Sequence, residues 1–510
     1  MKKFIKIITS RLFFSAILIV AQLAVIILLF SRVTNNALLT QIMVFVSFLF
    51  ALWVIFNKHE PEYAIGWLLV IMVFPVYGVL LYLIFGKKTL SFFSKKRLNK
   101  FVRSFTRAQL INNETKKQTI DNLYKYDKDL VRQSKYISRS AFSSPWQKTE
   151  AKYYPLGDDF LPDFLEELEK AEKFIFLEFF IISLGEMWSQ VLEVLKKKKD
   201  EGVDIRILYD DFGCIGGLPG NYAKQLREMG FKARVFNPVK PHINSRMNYR
   251  DHRKICVIDG NVAFTGGVNL ADEYINRDIR FGHWKDNAIR IKGLAVWDFS
   301  VLFLSMWDVT DGSDDNLLDY APTYEAKDDG FVQPYGDNPL DDVAMAETVY
   351  LQIINMAKNY VWITTPYLVI TRNMVNALSI AAQSGVDVRL IVPKIPDKIY
   401  VHEVSKSFYV DLISAGVKIY EYTPGFIHCK MFLSDDKVAI IGTVNMDYRS
   451  FYLHFECGVA FFGASIINDV KQDMENLFNI SERIDYNKAT SINIFRRFYR
   501  VILRLFSPIL

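Results

Sequence analysis

HRKICVIDGNVAFTGGVN (His252–Asn269) and HCKMFLSDDKVAIIGTVN (His428–Asn445) carry one pattern, and that pattern decides how the chain is read. Each copy runs His-x-Lys, four residues, Asp, six residues, then Gly-(Gly/Thr)-Val-Asn. The copies lie 176 positions apart, each with a single histidine.

Outward from each copy the flanking segments agree as well. KFIFLEFFII (Lys173–Ile182), broken only by Glu178, predicts a strand, as do GVDIRILYD (Gly202–Asp210) and GFKARVF (Gly230–Phe236) before the first motif. YVWITTPYLVI (Tyr360–Ile370), GVDVRLIVP (Gly385–Pro393) and GVKIYEY (Gly416–Tyr422) repeat that order before the second. Helical patterns alternate with the strands, so the fold class is α/β, with two pseudo-symmetric lobes of mixed sheets flanked by helices at 137–310 and 343–490. The acidic, turn-rich stretch 311–342 reads as a surface linker between them.

The 510-residue chain is 51% hydrophobic, with 40 Phe and 26 Tyr, and most of the excess sits in residues 1–86. Three apolar stretches there, Leu12–Phe30, Ala37–Phe56 and Ile65–Phe85, are each about 20 residues, the length that crosses a hydrocarbon core of roughly 30 Å. From Lys87 to Arg107 eight basic residues occur and no acidic one, which marks a cytoplasmic, headgroup-facing segment within the juxtamembrane linker 87–136. Lys2, Lys3, Lys6 and Arg11 also favour the cytoplasm, and three crossings cannot satisfy both clusters. A hairpin of the second and third stretches resolves this, with the lobes cytoplasmic and the first stretch interfacial or crossing. No clean small-x-small site follows Leu12–Phe30, which argues against a cleaved signal peptide. At the other end (491–510), four arginines from Arg496 to Arg504 alternate with apolar residues at helical spacing. That pattern is either an interfacial helix or one packed on the body with snorkelling arginines.

Cysteines occur only at 214, 256, 429 and 457, without metal-site spacing, so a disulfide framework is not expected. On a strand, His-x-Lys puts both side chains on one face. The ammonium makes this a poor metal site and a good phosphate site, where imidazole supplies nucleophilic or proton-transfer chemistry. Two such halves facing across a two-fold would surround one phosphorus, and this explains the duplication.

These residues resemble the HxKxxxxD motifs of the phospholipase D superfamily, complete in both copies. HWKD (His283–Asp286), TTPY (Thr364–Tyr367), NMDYRSF (Asn445–Phe451) and the terminal FSPIL resemble bacterial cardiolipin synthases. Asp251 stands where an Asn is commoner in that family. The resemblance implies phosphatidyl transfer between two phosphatidylglycerols through a phosphatidyl-histidine, with no metal and no cofactor. The candidate catalytic set is His252, Lys254, Asp259, His428, Lys430 and Asp435, with His252 the nucleophile and His428 the acid/base. Asp259 and Asp435 are read as bracing the motif turns rather than touching substrate. Asn269 and Asn445 would join the lysines in holding the phosphoryl oxygens. Asp286 and Glu456, at matching places after the motifs, would each orient a catalytic histidine. His59, His283, His402 and His454 are read as structural, and His242 as a surface residue near an entrance. The implied partners are phosphatidylglycerol, anionic lipids and the cell membrane. A nuclease would want a basic groove with stacking aromatics and has little use for membrane helices. Water, serine, ethanolamine or another lipid alcohol is left open as acceptor.

Overall fold

In the computed structural model, residues 37–57, 61–86, 113–141, 143–239, 248–311, 315–341 and 343–508 are described, with isolated positions 17 and 20. Leu12–Phe30 as a segment, the basic run 87–107, His59 and His242 lie outside them.

The six predicted flanking strands form, and each lobe is built around one mixed sheet. In the first, the order is Thr149–Tyr154, Ala288–Gly293, Val262–Gly266, Lys254–Ile258, Phe174–Phe179, Asp204–Asp210, Lys232–Phe236. The last three are mutually parallel, Lys254–Ile258 runs antiparallel to Phe174–Phe179, and Val262–Gly266 turns back antiparallel to Lys254–Ile258. The second sheet repeats this plan, with Tyr360–Thr364 between Asp387–Pro393 (parallel) and Met431–Ser434 (antiparallel). FIFLEF, KICVI and VAIIG are buried along their whole length, as strands covered on both faces must be.

One core lies between the sheets and draws on both lobes, joining Phe176, Ile255 and Ile291 to Ile391, Leu433 and Val459. The helix Val296–Asp311 is buried nearly all round within it, which explains a run as apolar as VWDFSVLFLSMW. Two further cores cover the outer faces.

Three expectations change. The linker 87–136 is not a plain spacer, because Asn113–Tyr126 and Lys128–Ser140 are helices. They bury Leu123, Leu130, Val131 and Ile137 against the second lobe, an apolar stripe hidden among many charges. The linker 311–342 contains a buried strand, Phe331–Asp337, which pairs with His454–Phe462. Its apolar and small polar residues satisfy a sheet edge that the acidic residues around them mask in sequence. Finally, Ile65–Phe85 is not one helix. Pro61–Val73 and Pro75–Leu81 are separated at Phe74, since Pro75 has no N–H and forces its predecessor out of helical geometry. Ala37–Asn57 is a 21-residue helix without a charged side chain. Over the described residues, however, no helix is long and apolar enough to cross a membrane.

The terminal helix Ile494–Leu505 is capped by Asn493, which accepts from Arg496 N at 2.8 Å. Three of its four arginines turn towards the protein. Arg496 and Arg500 both pair with Glu403, and Arg504 with Asp411 at 2.9 Å. Glu403 is thereby held down to about 2, the guanidinium pairing outweighing its burial. The apolar side consequently faces out, with Ile494, Phe495, Phe498 and Val501 all more than half exposed.

Candidate active site

The motif histidines stand where the chain changes partners. Arg250–Asp251 pairs with His454–Phe455 of the second lobe, and two residues later Lys254–Ile258 enters the first lobe's own sheet. Gly425–Ile427 likewise pairs with His283–Lys285 before Met431–Ser434 joins the second sheet. His252 and His428 are therefore in the breaks between strands, not on the ladders that simple His-x-Lys alternation predicts. Their own N–H groups donate across the lobes, His252 to Phe455 O at 2.9 Å and His428 to Lys285 O at 2.7 Å.

The side chains cross over too. His252 Nδ1 lies 3.0 Å from both carboxylate oxygens of Glu456, and His428 Nδ1 lies 2.5 Å from Asp286 Oδ2. Each lobe supplies a histidine and the acid that grips the other lobe's histidine. A carboxylate only accepts, so it fixes Nδ1–H on each ring and leaves Nε2 with a free lone pair. Lys430 Nζ is 2.9 Å from His428 Nδ1, a nitrogen already committed to Asp286, so the ammonium acts there through its charge and donates to His428 O. Lys254 donates to His252 O at 2.6 Å.

Burial and these cations set the protonation. His252 is pushed well below the usual imidazole range by burial, then by Lys254 and Lys430. His428 falls to about 4 by burial and Lys430, against the pull of Asp286. Burial also lowers Lys254 to about 7 and Lys430 to about 8. Burial works to raise Asp286, but His428 and Lys430 bring it below the ordinary carboxylate value. Both histidines are thus neutral, Lys430 keeps most of its charge at neutral pH, and Lys254 sits where a nearby anion completes its protonation.

Supporting residues explain the rest of the motif. Asp259 and Asp435 both take a left-handed backbone (φ 52°) at the turn after the motif strand. Asp259 accepts from Glu172, Lys173 and Phe174 N, and Asp435 from Lys358, Asn359 and Tyr360 N, at 2.7–2.9 Å. Both carboxylates are spent on the start of the neighbouring strand. Arg253 pairs with Glu178 at 2.5 Å and with Asp251, which accounts for the lone acid in KFIFLEFFII. Removing one member of such a buried pair typically costs about 3–5 kcal/mol. The Gly-Gly/Gly-Thr difference has a physical cause. A Cβ on Gly267 would stand 1.9 Å from Asp286 Oδ1, whereas its counterpart Thr443 donates to Glu456 Oε2.

Both histidines line one cavity of about 570 Å³ together with Asn269 and Asn445. Asn269 accepts from Ile181 N at 3.0 Å and donates to the Tyr274 hydroxyl at 2.7 Å, so its amide is engaged. Asn445 Oδ1 has no partner among the described residues. His454, which sequence reasoning set aside as structural, is a cavity residue with its ring 5.5 Å from that of His252. Its position two residues before Glu456 was the available signal. His252, His454 and Glu456 offer three ligand atoms within 4.8 Å of one another. Glu456 is already shared by His252 and Thr443, and the two buried lysines oppose an added cation. His283 is tied to the Tyr422 hydroxyl at 2.8 Å.

Residues 164–289 and 350–478 match a family model described as cardiolipin synthase, PLD-like domain, and 45–87 match a phospholipase D-nuclease N-terminal model. The chain is 34% identical over 462 residues to a cardiolipin synthase of Alkalihalophilus pseudofirmus, covering 90% of this chain and 91% of that one. It is 35% identical over 470 residues to one of Halalkalibacterium halodurans, covering 89% and 90%. An uncharacterized protein of Streptococcus mutans shares 39% over 464 residues, 90% and 99% of the two chains. Among solved structures, a phosphatidylserine synthase of Haemophilus influenzae superposes with a TM-score of 0.58 at 14% identity, over 75% of this chain and 98% of that one, a likeness of fold.

Proposed function

The chain belongs to the cardiolipin synthase family of phospholipase D-like proteins, and on that premise we propose how its site carries out phosphatidyl transfer. One phosphatidylglycerol is the donor, a second is the acceptor, and glycerol is released. The observation that carries this reading is the crossed bracing: two neutral imidazoles, each held at Nδ1 by the opposite lobe, line one cavity.

In the first step His252 Nε2 attacks the donor phosphorus, and the P–O bond to the glycerol headgroup breaks. The departing oxygen takes a proton from His428, which the bound phosphate's negative charge makes basic enough to carry one. In the second step the acceptor's hydroxyl oxygen attacks phosphorus while His428 takes its proton, and the N–P bond breaks. One phosphodiester replaces another, so no nucleotide need drive the exchange. Lys254 and Lys430 hold the phosphoryl oxygens with Asn445, and with Asn269 once it leaves Tyr274. Purified protein given phosphatidylglycerol vesicles in EDTA should form cardiolipin and glycerol in equal amounts. Phosphatidic acid as the main product would make it a hydrolase.

We further propose that the lobes lie on the cytoplasmic face of the cell membrane, anchored by the apolar helices of residues 37–86, with the outward side of Ile494–Leu505 resting in the headgroup layer. In support, this helix packs against Ile399–Ser407, which supplies Tyr400, Val401 and Val404 to the cavity wall. It also touches Pro61–Val73. Phe495→Glu with Phe498→Glu should lower turnover on vesicles about tenfold or more while sparing turnover in detergent micelles. Equal loss in both would assign these residues to folding instead.

A further inference from the structure

The two lobes mirror each other around the reacting centre, yet the mirror fails at several cavity positions, and two of them exchange a cation or an imidazole for a different group. Four residues after each motif asparagine, the first lobe has Glu273 and the second Arg449. Two residues before each orienting acid, the first has Trp284 and the second His454. All four side chains line the cavity.

These exchanges set Glu273 against Arg449, and each wall then carries two acids and two bases: Glu273, Asp278, Arg250 and Arg280 on the first-lobe side, Asp397, Asp447, Lys398 and Arg449 on the second. On the first-lobe side Glu273 and Asp278 stand with Arg280, whose guanidinium lies 5.0 Å from the Phe281 ring. Trp284 packs its indole 5.4 Å from His428. On the second-lobe side Arg449 lies in the field of Asp447 and near enough to His454 to influence it. His454 is nine-tenths buried. Its Nδ1 is 3.6 Å from Glu456 Oε1, beyond hydrogen-bond range, and neither ring nitrogen has a hydrogen-bond partner among the described residues. Lys398 also reaches the cavity, donating to the Tyr367 hydroxyl at 3.2 Å.

The reaction poses an electrostatic problem that one phosphate site cannot solve. The acceptor brings its own phosphodiester anion into a buried cavity, one glycerol bridge from the phosphorus under attack. Unpaired burial of that charge is costly. We propose that Arg449, with His454 beside it, forms a second anion site that seats the phosphate of the acceptor lipid. At the mirrored position the first lobe has Glu273 in place of a cation, so the second site is assigned to the Arg449 wall. The proposal rests on the transfer mechanism above and adds to it the basis of acceptor choice: a hydroxyl carried by an anionic phosphodiester is preferred to a neutral alcohol.

A partition experiment isolates this step. The full-length protein is given phosphatidylglycerol vesicles with ethanol, so that both acceptors compete for one phosphatidyl-enzyme. The ratio of phosphatidylethanol to cardiolipin does not depend on how fast that intermediate forms. Arg449→Gln should raise the ratio at least about tenfold, the scale of one charge-assisted hydrogen bond, and Arg449→Lys should return part of it. An unchanged ratio, with both products falling together, would overturn the site. If Arg449→Gln does not fold, His454→Asn carries the same reading with a smaller expected rise. A wild-type protein that yields phosphatidylethanol but no cardiolipin would instead refute the proposed function, transfer to a second phosphatidylglycerol.

Discussion

His428→Ala and His252→Ala should each cut cardiolipin formation by at least about a thousandfold while leaving the fold intact, because each removes one of two groups that act in series on the same phosphorus. The cores lie elsewhere, and both rings are slightly exposed at the cavity wall (6% and 7%). The two variants should separate on a phosphatidyl donor whose leaving group is nitrophenolate, which needs no proton to depart. His428→Ala should then release about one equivalent of nitrophenol in a burst, and His252→Ala none. The opposite pattern would exchange the two roles. Near-normal cardiolipin synthesis in either variant would end the shared-site account.

Asp286→Asn and Glu456→Gln carry the second large effect, about 10²- to 10⁴-fold on turnover, since an amide no longer fixes the ring tautomer or favours the charged imidazole. The crossed geometry adds a sharper consequence. Glu456→Gln, a change in the second lobe, should abolish the nitrophenol burst that belongs to His252 of the first. Asp286→Asn should keep the burst and slow the later transfer. If each acid instead affected the histidine of its own lobe, the crossing at 3.0 Å and 2.5 Å would not be the working arrangement.

Much of this was legible in the amino-acid sequence because duplication writes the same physics twice. Runs such as FIFLEF and VDVRLIVP are strands by composition alone, and Asp259 and Asp435 follow their strands at the same spacing. The crossing was not legible. Asp286 and Glu456 each follow the motif of their own lobe, and only the two inter-lobe pairings, Arg250–Asp251 with His454–Phe455 and Gly425–Ile427 with His283–Lys285, reverse which histidine each one reaches. His454 was dismissed for a related reason: a lone histidine is ordinarily structural, and its neighbour His252 is two hundred residues away. The helices of 113–140 were hidden by their charge, since few apolar positions suffice when a whole lobe provides the other face. The terminal helix reads as basic in sequence, whereas three of its four arginines are taken up by Glu403 and Asp411 and its apolar side is what meets the surroundings.

The exchange of acids between lobes also governs when the protein becomes dangerous to the lipid around it. Synthesis proceeds from the N-terminus, and domains fold as they emerge. The first lobe therefore emerges with nothing to steady His252, because Phe455, which takes its N–H, and Glu456, which holds its ring, have not yet been made. Its own acid, Asp286, waits for a histidine that is also still to come. A half-made or truncated chain holds a nucleophile without its brace and a brace without its base. On the two-histidine mechanism proposed above, such a chain lacks both the partner histidine and the brace that phosphodiester cleavage requires.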